Sequence, residues 1–399
     1  MPLRVLVVIR SRHVWGLERS VMDSAPLMAA RGVELVLGSP PGGELVERWR
    51  RLGLAHVALE LPERSGLRAA DGEHRLSPLD AVHELGATAR SVSALRAAAR
   101  RVDVVHSASL WVHLDCVLAG RLARRPVAVE LVDMVRPGLG RQVLSFAVRL
   151  STGAFANSRA VAGCVSPGPA RRVRIIAPGV DAQRFRPGPA DRGVRRELSE
   201  DPDAALVGMV GRLDPDKGVE LVVEAVARLG SSSPAQLVVV GGPGLAGAGY
   251  AAEVEAEARA RLGGRVRFLG WTEDVPATLR ALDVLVNAST AEPFGLSVLE
   301  AQACGVPVVV TDGGGVVELV SHDEDGLVVR RDPQSVADAL GRLLADPALR
   351  REMGGRGRRA AEARSLDARA DALAELYRRC ARRRTAPGGE RSPAPEPVQ

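Results

Sequence analysis

Short runs of Val, Leu and Ile recur along the first half of this chain, separated by stretches long enough to form helices. The predicted strands are Arg4–Ile9, Val33–Leu37, Ala55–Leu59, Val102–His106, Val127–Glu130, Ala154–Ala156 and Val173–Ile176. The predicted helices are Glu18–Arg31, Gly43–Leu52, Asp80–Arg100 and Trp111–Ala123, in which apolar residues recur at helical spacing. Strands that are apolar throughout are typical of parallel sheets covered on both faces. The alternation therefore predicts a doubly wound α/β sheet.

The same alternation restarts after Phe185-Arg-Pro-Gly-Pro-Ala-Asp-Arg-Gly193, which breaks both periods and indicates a linker. The second set of predicted strands is Leu206–Val210, Gln236–Val240, Val266–Leu269, Val284–Asn287, Val306–Val310 and Leu327–Val329. A chain of 399 residues is too long for one ordinary core. We therefore expect one domain over residues 1–185 and another over residues 186–365.

Three further segments depart from this pattern. Residues 366–384 are rich in Arg and Glu and predict a final amphipathic helix, whereas residues 385–399 carry too little apolar surface to order. The polar, Gly-rich stretch from Pro62 to Pro78 predicts a mobile loop.

The charge of the chain does not indicate a nucleic-acid footprint, because a net charge of +6 is small for this length and no single block holds the excess of basic residues. Arginines do gather in the first half. A solvated helix face is the simpler interpretation, and an anionic acceptor or membrane surface is the alternative. The stretch Arg141–Arg149 could lie on a membrane or pack inward.

The four cysteines, Cys116, Cys164, Cys304 and Cys380, form no Cys-x-x-Cys pair, so neither a structural zinc nor a disulfide framework is expected. The first apolar run is interrupted by Arg4 and is too short for a signal peptide or a membrane span. We expect a cytoplasmic protein, with peripheral contact to the inner face of the cell membrane as an open alternative.

The segment Glu292-Pro-Phe-Gly-Leu-Ser-Val-Leu-Glu300 places two carboxylates around a turn that opens a helix. Backbone amides of Gly295, Leu296 and Ser297 would lie at that helix N-terminus, which favours a diphosphate. Glu300 could accept hydrogen bonds from both hydroxyls of the ribose of a sugar nucleotide, and Glu292 could reach its sugar. The alternative is an acidic loop followed by a solvent-facing glutamate.

The loop Gly211-Arg-Leu-Asp-Pro-Asp-Lys-Gly218 follows a predicted strand, and Lys217 is the only lysine among the 54 basic residues. A composition so biased to Arg suggests that a compact ammonium matters at this position. Gly211 lets the backbone approach a ligand closely. Arg212 and Lys217 together could neutralise a departing diphosphate without a metal ion, and no metal site is expected.

The chain resembles the retaining glycosyltransferases of the GT-B fold, in the large bacterial group often called family four. The segments that carry the resemblance are Gly16-Leu-Glu-Arg19, Ile176-Ala-Pro-Gly-Val-Asp181-Ala-Gln-Arg-Phe185, Gly211–Gly218, Val266-Arg-Phe-Leu-Gly270 and Glu292–Pro307. The resemblance implies two facing Rossmann-like domains with a cleft that closes on the donor, and a last helix that returns to the first domain.

The resemblance also implies a nucleotide-diphosphate sugar bound mostly by the second domain. Arg212 and Lys217 would then hold the diphosphate, Glu300 the ribose and Glu292 the transferred sugar. The base would lie near Arg267 and Leu269. The remaining donor contacts would come from Gly16, Gly211, Phe294, Gly295, Leu296 and Ser297.

Two positions depart from the family pattern in the first domain. Only Gly16 remains of the paired glycines in the first loop, and His106-Ser107-Ala108 lacks the second histidine of a His-x-His motif. His106 could be a catalytic residue or a structural histidine at a strand end. Asp133 is expected to cap the next helix, with acceptor binding as the alternative, and Arg12 and His13 are weaker candidates for ligand contact.

The expected activity is metal-independent, retaining transfer of a sugar from a nucleotide-diphosphate sugar to an acceptor hydroxyl. The acceptor would be a glycolipid, a polysaccharide intermediate or a small metabolite. A sugar phosphorylase or epimerase on the same fold, or a non-catalytic nucleotide-sugar-binding protein, is the alternative.

Overall fold

The computed structural model describes residues 1–62, 78–199, 201, 204–230 and 235–385. Residues 63–77 of the expected mobile loop (62–78) and residues 386–399 of the expected disordered tail (385–399) lie outside the described residues. The chain forms two compact units, which we call the first and the second unit. The first unit holds Met1–Gly179 and the chain from Leu366 onward, and the second holds Val180–Ser365.

Within the described residues, seven strands form the sheet of the first unit: β1 (Leu3–Val8), β2 (Val33–Ser39), β3 (Ala55–Ala58), β4 (Val104–Ser107), β5 (Val127–Leu131), β6 (Gly153–Ala156) and β7 (Val173–Ile175). The helices of this unit are α1 (Gly16–Ala30), α2 (Glu44–Arg51), α3 (Pro78–Ala99), α4 (His113–Ala123), α5 (Leu139–Leu150), α6 (Arg159–Ala162), α7 (Pro167–Ala170) and, at its end, α15 (Leu366–Thr385).

The second unit has six strands among the residues that the structure describes: β8 (Ala205–Val210), β9 (Ala235–Val240), β10 (Val266–Gly270), β11 (Val284–Asn287), β12 (Val308–Thr311) and β13 (Leu327–Val329). Its helices are α8 (Arg192–Leu198), α9 (Val219–Arg228), α10 (Gly247–Leu262), α11 (Val275–Ala281), α12 (Leu296–Ala303), α13 (Pro333–Ala345) and α14 (Pro347–Glu362).

Both sheets are parallel, with the orders β3-β2-β1-β4-β5-β6-β7 and β10-β9-β8-β11-β12-β13. The six strands of the second sheet follow the same order as the first six of the first sheet, which has β7 in addition. Apolar side chains cover both faces of the first sheet, because the clusters around Val7 and Leu6 belong to alternate positions of the same strand. The predicted doubly wound α/β architecture is confirmed. In such sheets a ligand binds where the strand order reverses, which here is beside β1 and β4 and beside β8 and β11.

The second unit begins at Val180, a few residues before the boundary expected from the sequence. The Val180 amide donates to the Arg364 carbonyl at 2.9 Å, and Arg358 on α14 donates to the Phe185 carbonyl at 2.8 Å. These bonds hold the segment 180–185 to the second unit. The predicted linker that follows Phe185 therefore lies inside the second unit, and the division between the units precedes it.

Helix α15 completes the core of the first unit, although it follows the second unit in the chain. It buries Leu373, Ala374 and Tyr377 in the same cluster as β1 and β4. Within the described ranges, no helix is both long and apolar enough to cross a bilayer.

A buried ionic network joins α15 to strands β4 and β5. Arg369 Nη2 donates to Glu130 Oε1 at 2.7 Å, and Tyr377 Oη lies 2.9 Å from His106 Nδ1. His106 Nε2 is 3.0 Å from the second oxygen of Glu130. Burial alone would raise the pKa of Glu130, but the charges of Arg369 and His106 outweigh it and lower that pKa to about 2. The carboxylate is therefore ionised inside the core and depends on its partners.

Candidate functional site in the second unit

The loops that follow β8 and β11 meet at the point where the strand order of the second sheet reverses. The first loop carries Arg212 and Lys217, and the second carries Glu292. The Thr290 amide donates to the Asp216 carbonyl at 2.7 Å and so fastens one loop to the other. The structure thus brings together the two segments that the sequence selected, on the ligand-binding edge of a doubly wound sheet.

Lys217 and Glu292 form an ion pair in this site. Lys217 Nζ lies 2.9 Å from Glu292 Oε2, with side chains 19% and 13% exposed. The same oxygen accepts from Ser289 Oγ at 3.0 Å. Burial would raise the pKa of Glu292, but Lys217 and the hydrogen bonds from Ser289 and Asn287 lower it overall. Glu292 is consequently held as a carboxylate, and Lys217 as an oriented cation beside it.

Asp214 fixes the position of Arg212. Its Oδ2 accepts from Arg212 Nε at 2.7 Å, and its Oδ1 accepts from the Ala246 amide at 2.8 Å. Asp214 is only 3% exposed, whereas the Arg212 side chain is 25% exposed. This anchoring through Nε leaves the outer end of the guanidinium partly exposed at the rim of the loop.

Helix α12 begins directly after the Glu292 loop. Its N-cap is Gly295, with φ +98°, a backbone conformation that glycine adopts without strain. Leu296 and Ser297 form its first turn and are partly exposed, while Glu300 is 4% exposed on the following turn. Phe294 is 5% exposed, so its side chain packs inward. The backbone amides of this first turn therefore lie where an anion could accept hydrogen bonds from them.

A run of three glycines after β12 supports the Glu292 loop, and the sequence reasoning did not identify it. The Glu292 amide donates to the Gly313 carbonyl at 3.0 Å, and the Gly315 amide donates to the Glu292 carbonyl at 2.7 Å. Gly314 has φ +91°, and a Cβ there would lie 2.4 Å from the Glu292 carbonyl oxygen. Three consecutive glycines, two residues after the predicted strand Val306–Val310, were the available signal.

We expect Gly314→Ala to displace the Glu292 loop, because the added Cβ meets backbone and the φ angle is unfavourable for any L side chain. The strain should lower kcat/KM by about tenfold or more. Gly249→Ala in α10 is the control, since nothing lies within 4 Å of a Cβ at that position. Equal activity of the two variants in a steady-state assay would show that the glycine cradle does not position the site.

Arg267 and Leu269 lie on β10, at the outer edge of the second sheet. Arg267 is exposed, and Leu269 is partly buried. The pairing of β10 with β9 shifts between Phe268 and Gly270, and Gly270 has φ +67°. The irregularity turns the end of β10, so that the chain continues into the exposed Trp271.

In the first unit, the structure corrects the catalytic assignment of His106. Its side chain is 1% exposed and lies between Glu130, Tyr377 and Phe155. Both ring nitrogens face core partners, so the imidazole cannot reach a substrate, and the structural alternative is the correct one.

The other candidates of the first unit lie at or near strand ends. Gly16 is exposed and opens α1, and Arg12 and His13 are exposed on the loop before it. Asp133 does not cap α5, which begins at Leu139 with Gly138 as its N-cap. The expected cap was wrong because the loop after β5 is longer than the sequence indicated.

Comparison with known proteins identifies the family of this chain. The profile described as "Glycosyl transferases group 1" matches residues 192–360. A D-inositol 3-phosphate glycosyltransferase of Kineococcus radiotolerans is 30% identical over 94% of this chain and 92% of its own length. The chain belongs to the glycosyl transferases group 1 family.

Other family members align over different lengths. The relative of the same name from Actinosynnema mirum is 32% identical over 91% of each chain. The one from Corynebacterium jeikeium is 40% identical, but the alignment spans about half of each protein, 51%.

Two solved structures show that this family member has the GT-B fold. Anabaena HepE in complex with UDP-glucose superposes with a TM-score of 0.79 at 23% identity, covering 94% of this chain and 99% of that one. WaaG, a glycosyltransferase involved in lipopolysaccharide biosynthesis, gives a TM-score of 0.66 at 17% identity with the same coverage. The fold expected from the sequence is confirmed.

Proposed function

We propose that this chain transfers a sugar from a nucleotide-diphosphate sugar to an acceptor hydroxyl, with retention of anomeric configuration and without a metal ion. The observation that carries the proposal is the Lys217–Glu292 pair at the switch point of the second sheet, beside the N-terminus of α12. Family membership supports the reaction class, and the UDP-glucose bound to Anabaena HepE makes a nucleoside diphosphate sugar the natural donor class.

In this proposal the diphosphate lies between the Arg212–Lys217 loop and the first turn of α12. Arg212, Lys217 and the amides of Gly295, Leu296 and Ser297 donate to its oxygens. They stabilise the charge that grows on the leaving phosphate as the glycosidic bond breaks. Because the cations are already oriented by Asp214 and Glu292, little reorganisation is needed at that moment.

The two carboxylates of the site take different roles in this proposal. Glu292, ionised and close to Lys217, lies at the sugar end of the donor. Glu300, one turn into α12, accepts from the ribose hydroxyls. The base would lie toward Arg267 and Leu269 on β10, and Gly211 gives the backbone room beside the diphosphate.

We expect Glu300→Gln to weaken donor binding by about tenfold or more, because a charge-assisted pair of hydrogen bonds to the ribose becomes neutral. The replacement has the same shape, so the packing of α12 should persist. Glu257→Gln, at an exposed position of α10, is the matched control. Calorimetric titration with the donor measures both, and equal affinities would remove Glu300 from the donor site.

The acceptor of this proposal is a hydroxyl on a small polyol or on a lipid-linked or polysaccharide intermediate. The curated relatives carry the name D-inositol 3-phosphate glycosyltransferase, so a phosphorylated cyclic polyol is the first acceptor to test. Arg12 and His13, exposed on the loop before α1, are the candidates to contact it. Gly16 lets the chain turn into α1 at the same loop.

We also propose that an arginine-rich segment of the first unit, residues 110–172, contacts an anionic membrane. Residues 110–172 hold nine arginines and only three acidic residues, of which Asp115 and Glu130 are buried. Helix α5 packs Leu144 and Val148 inward and leaves Phe146 52% exposed. An exposed aromatic ring on an arginine-rich segment of the chain suits an anionic lipid surface. Sedimentation with anionic vesicles, lost in Phe146→Ser, tests this contact, and equal sedimentation with neutral vesicles would contradict it.

The reaction itself is tested by incubating the protein with nucleotide sugars and a panel of acceptors in the presence of EDTA. The expected result is release of the nucleoside diphosphate, with a product whose anomeric proton coupling in NMR matches that of the donor. An inverted product, or turnover that appears only when Mg²⁺ is added, would overturn the proposal.

A further inference from the structure

Arg331 lies on the loop that follows β13, outside the two loops of the candidate site, and contacts both of them. Its Nε donates to the Ala288 carbonyl at 3.0 Å, at the start of the loop that carries Glu292. Its Nη2 would be 3.1 Å from a Cβ at Gly218, the residue after Lys217. One side chain therefore joins three loops at the ligand-binding edge of the second sheet.

These loops meet closely because Gly218 has no side chain. It adopts φ +70°, and a Cβ at this position would lie 2.5 Å from the Ala288 carbonyl oxygen. The backbone directly after Lys217 thus packs on the carbonyl that Arg331 holds. Ala288 is itself fully buried. A displacement of its carbonyl would therefore be transmitted to the Lys217 loop, because no free space separates them.

The same carbonyl is linked to the carboxylate of the site. Ala288 and Ser289 share one planar peptide unit, so the bond from Arg331 fixes the peptide that leads to Ser289. Ser289 Oγ donates to Glu292 Oε2 at 3.0 Å, and Lys217 Nζ contacts the same oxygen at 2.9 Å. Arg331 thus supports the ion pair on its acidic side as well as on its basic side.

Arg331 has no carboxylate partner that would account for its place. In the part of the chain that the structure describes, it makes no ion pair, and its one hydrogen bond is the bond to Ala288. The adjacent Asp332 accepts from the Ser335 amide at 2.8 Å and lies 3.7 Å from Arg330. The contacts with the two site loops are therefore what directs the Arg331 side chain.

We propose that Arg331 is a positioning residue for sugar transfer, which holds Lys217 and Glu292 in register through the Ala288 carbonyl. This role rests on the proposed function, because that function assigns the two charged residues to the donor. Fixed charges stabilise a transition state best when they are oriented before the reaction begins. A small displacement of such a group lowers the rate steeply, even when its cause lies away from the reacting atoms.

Lys217 can be observed directly, because it is the only lysine in the sequence. Protein labelled with ¹³C at lysine Cε gives one signal, and its transverse relaxation measures the mobility of that side chain. The signal should relax more slowly in Arg331→Met, because Lys217 becomes more mobile. Arg330→Met is the matched control, since this adjacent arginine is 84% exposed and its loss removes the same charge. The control should keep the wild-type relaxation rate.

Turnover of the donor gives the second readout. Arg331→Met should lower kcat by about tenfold, whereas Arg330→Met should change it by less than about twofold. Arg331→Gln places an amide nitrogen where Nε was, so it can still donate to Ala288 and should recover part of both losses. In the Lys217→Ala protein, Arg331→Met should cost clearly less than in the wild type, because one of the groups that it positions is gone. All these variants should fold, since Arg331 and Arg330 are exposed.

Equal relaxation of the Lys217 signal in Arg331→Met and Arg330→Met, or equal kcat values, would overturn the role of Arg331. Equal losses in Arg331→Gln and Arg331→Met would also overturn it, because the charge and not the bond to Ala288 would then carry the effect. The proposed function fails by a different result, unchanged turnover in Lys217→Ala. The relaxation measurement needs no substrate, so the two failures can be told apart.

Discussion

Lys217→Ala should lower kcat by about 100-fold or more while leaving the fold intact. The ammonium is 2.9 Å from Glu292 and on the loop that the proposal places against the diphosphate. Its removal takes away a cation that stabilises the departing phosphate. It also leaves the Glu292 carboxylate with only Ser289 and Asn287 to support its charge. Steady-state release of the nucleoside diphosphate measures the effect.

Arg228→Ala is the matched control for this variant. Arg228 lies on α9, the helix that follows the Lys217 loop, and pairs with Glu224 on the exposed face. The Arg228→Ala variant loses one positive charge outside the site. Its kcat should stay within about twofold of the wild-type value, as expected for the loss of an exposed ion pair. Near-normal turnover of Lys217→Ala would defeat the assignment of the site.

Arg369→Met should destabilise the first unit by about 3–5 kcal/mol, because it leaves the Glu130 carboxylate buried without its main counter-charge. Arg369 is 4% exposed and Glu130 1% exposed, so water cannot replace the lost partner. Urea unfolding followed by tryptophan fluorescence reports mainly this unit, since three of the four tryptophans, Trp15, Trp49 and Trp111, lie in it.

Two comparisons sharpen that prediction. Arg379→Met on the same helix removes an exposed arginine whose side chain is 45% accessible, and should have little effect. The double variant Glu130→Gln, Arg369→Met should recover part of the loss, because no charge is then left buried without a partner. Equal midpoints of urea unfolding for Arg369→Met and Arg379→Met would show that the buried ionic network of Arg369 and Glu130 does not hold α15 in place.

The same network predicts how stability depends on pH. The pKa of Glu130 is about 2 in the folded protein, below its ordinary value of 4.5. The stability that the ionised Glu130 contributes is therefore fully present when the pH is above the ordinary pKa of 4.5. It is lost as the pH falls toward the pKa of the folded state. Arg369→Met, which removes the first of the two charges that lower the pKa of Glu130, should flatten this acid dependence in unfolding measurements between these two limits.

The strand and helix alternation could be predicted because buried parallel strands are apolar along their whole length. Helix α14 gave no comparable signal, since only Met353, Gly354, Gly357 and Ala361 of its sixteen residues are buried. The start of the second unit was placed late because the bonds from Arg358 to the segment 180–185 join residues far apart in sequence.

The two loops of the candidate site could be selected from the sequence, because Lys217 and Glu292 each stand in a short motif that follows a predicted strand. The support of the Glu292 loop by Gly313 and Gly314 was not predicted, because these glycines follow a different strand, β12. His106 shows the same limit in the first unit, because its burial depends on α15, which follows it by more than two hundred residues.

A thermal-shift panel with UDP, GDP, ADP and dTDP and their common sugars, on the wild type and Lys217→Ala, tests the central claim most directly. A ligand that binds only the folded state raises the unfolding midpoint. The account predicts that one nucleotide and its sugar raise the midpoint of the wild type and that Lys217→Ala loses most of this shift. No shift with any nucleotide, or an equal shift in both proteins, would contradict a donor site built on Lys217.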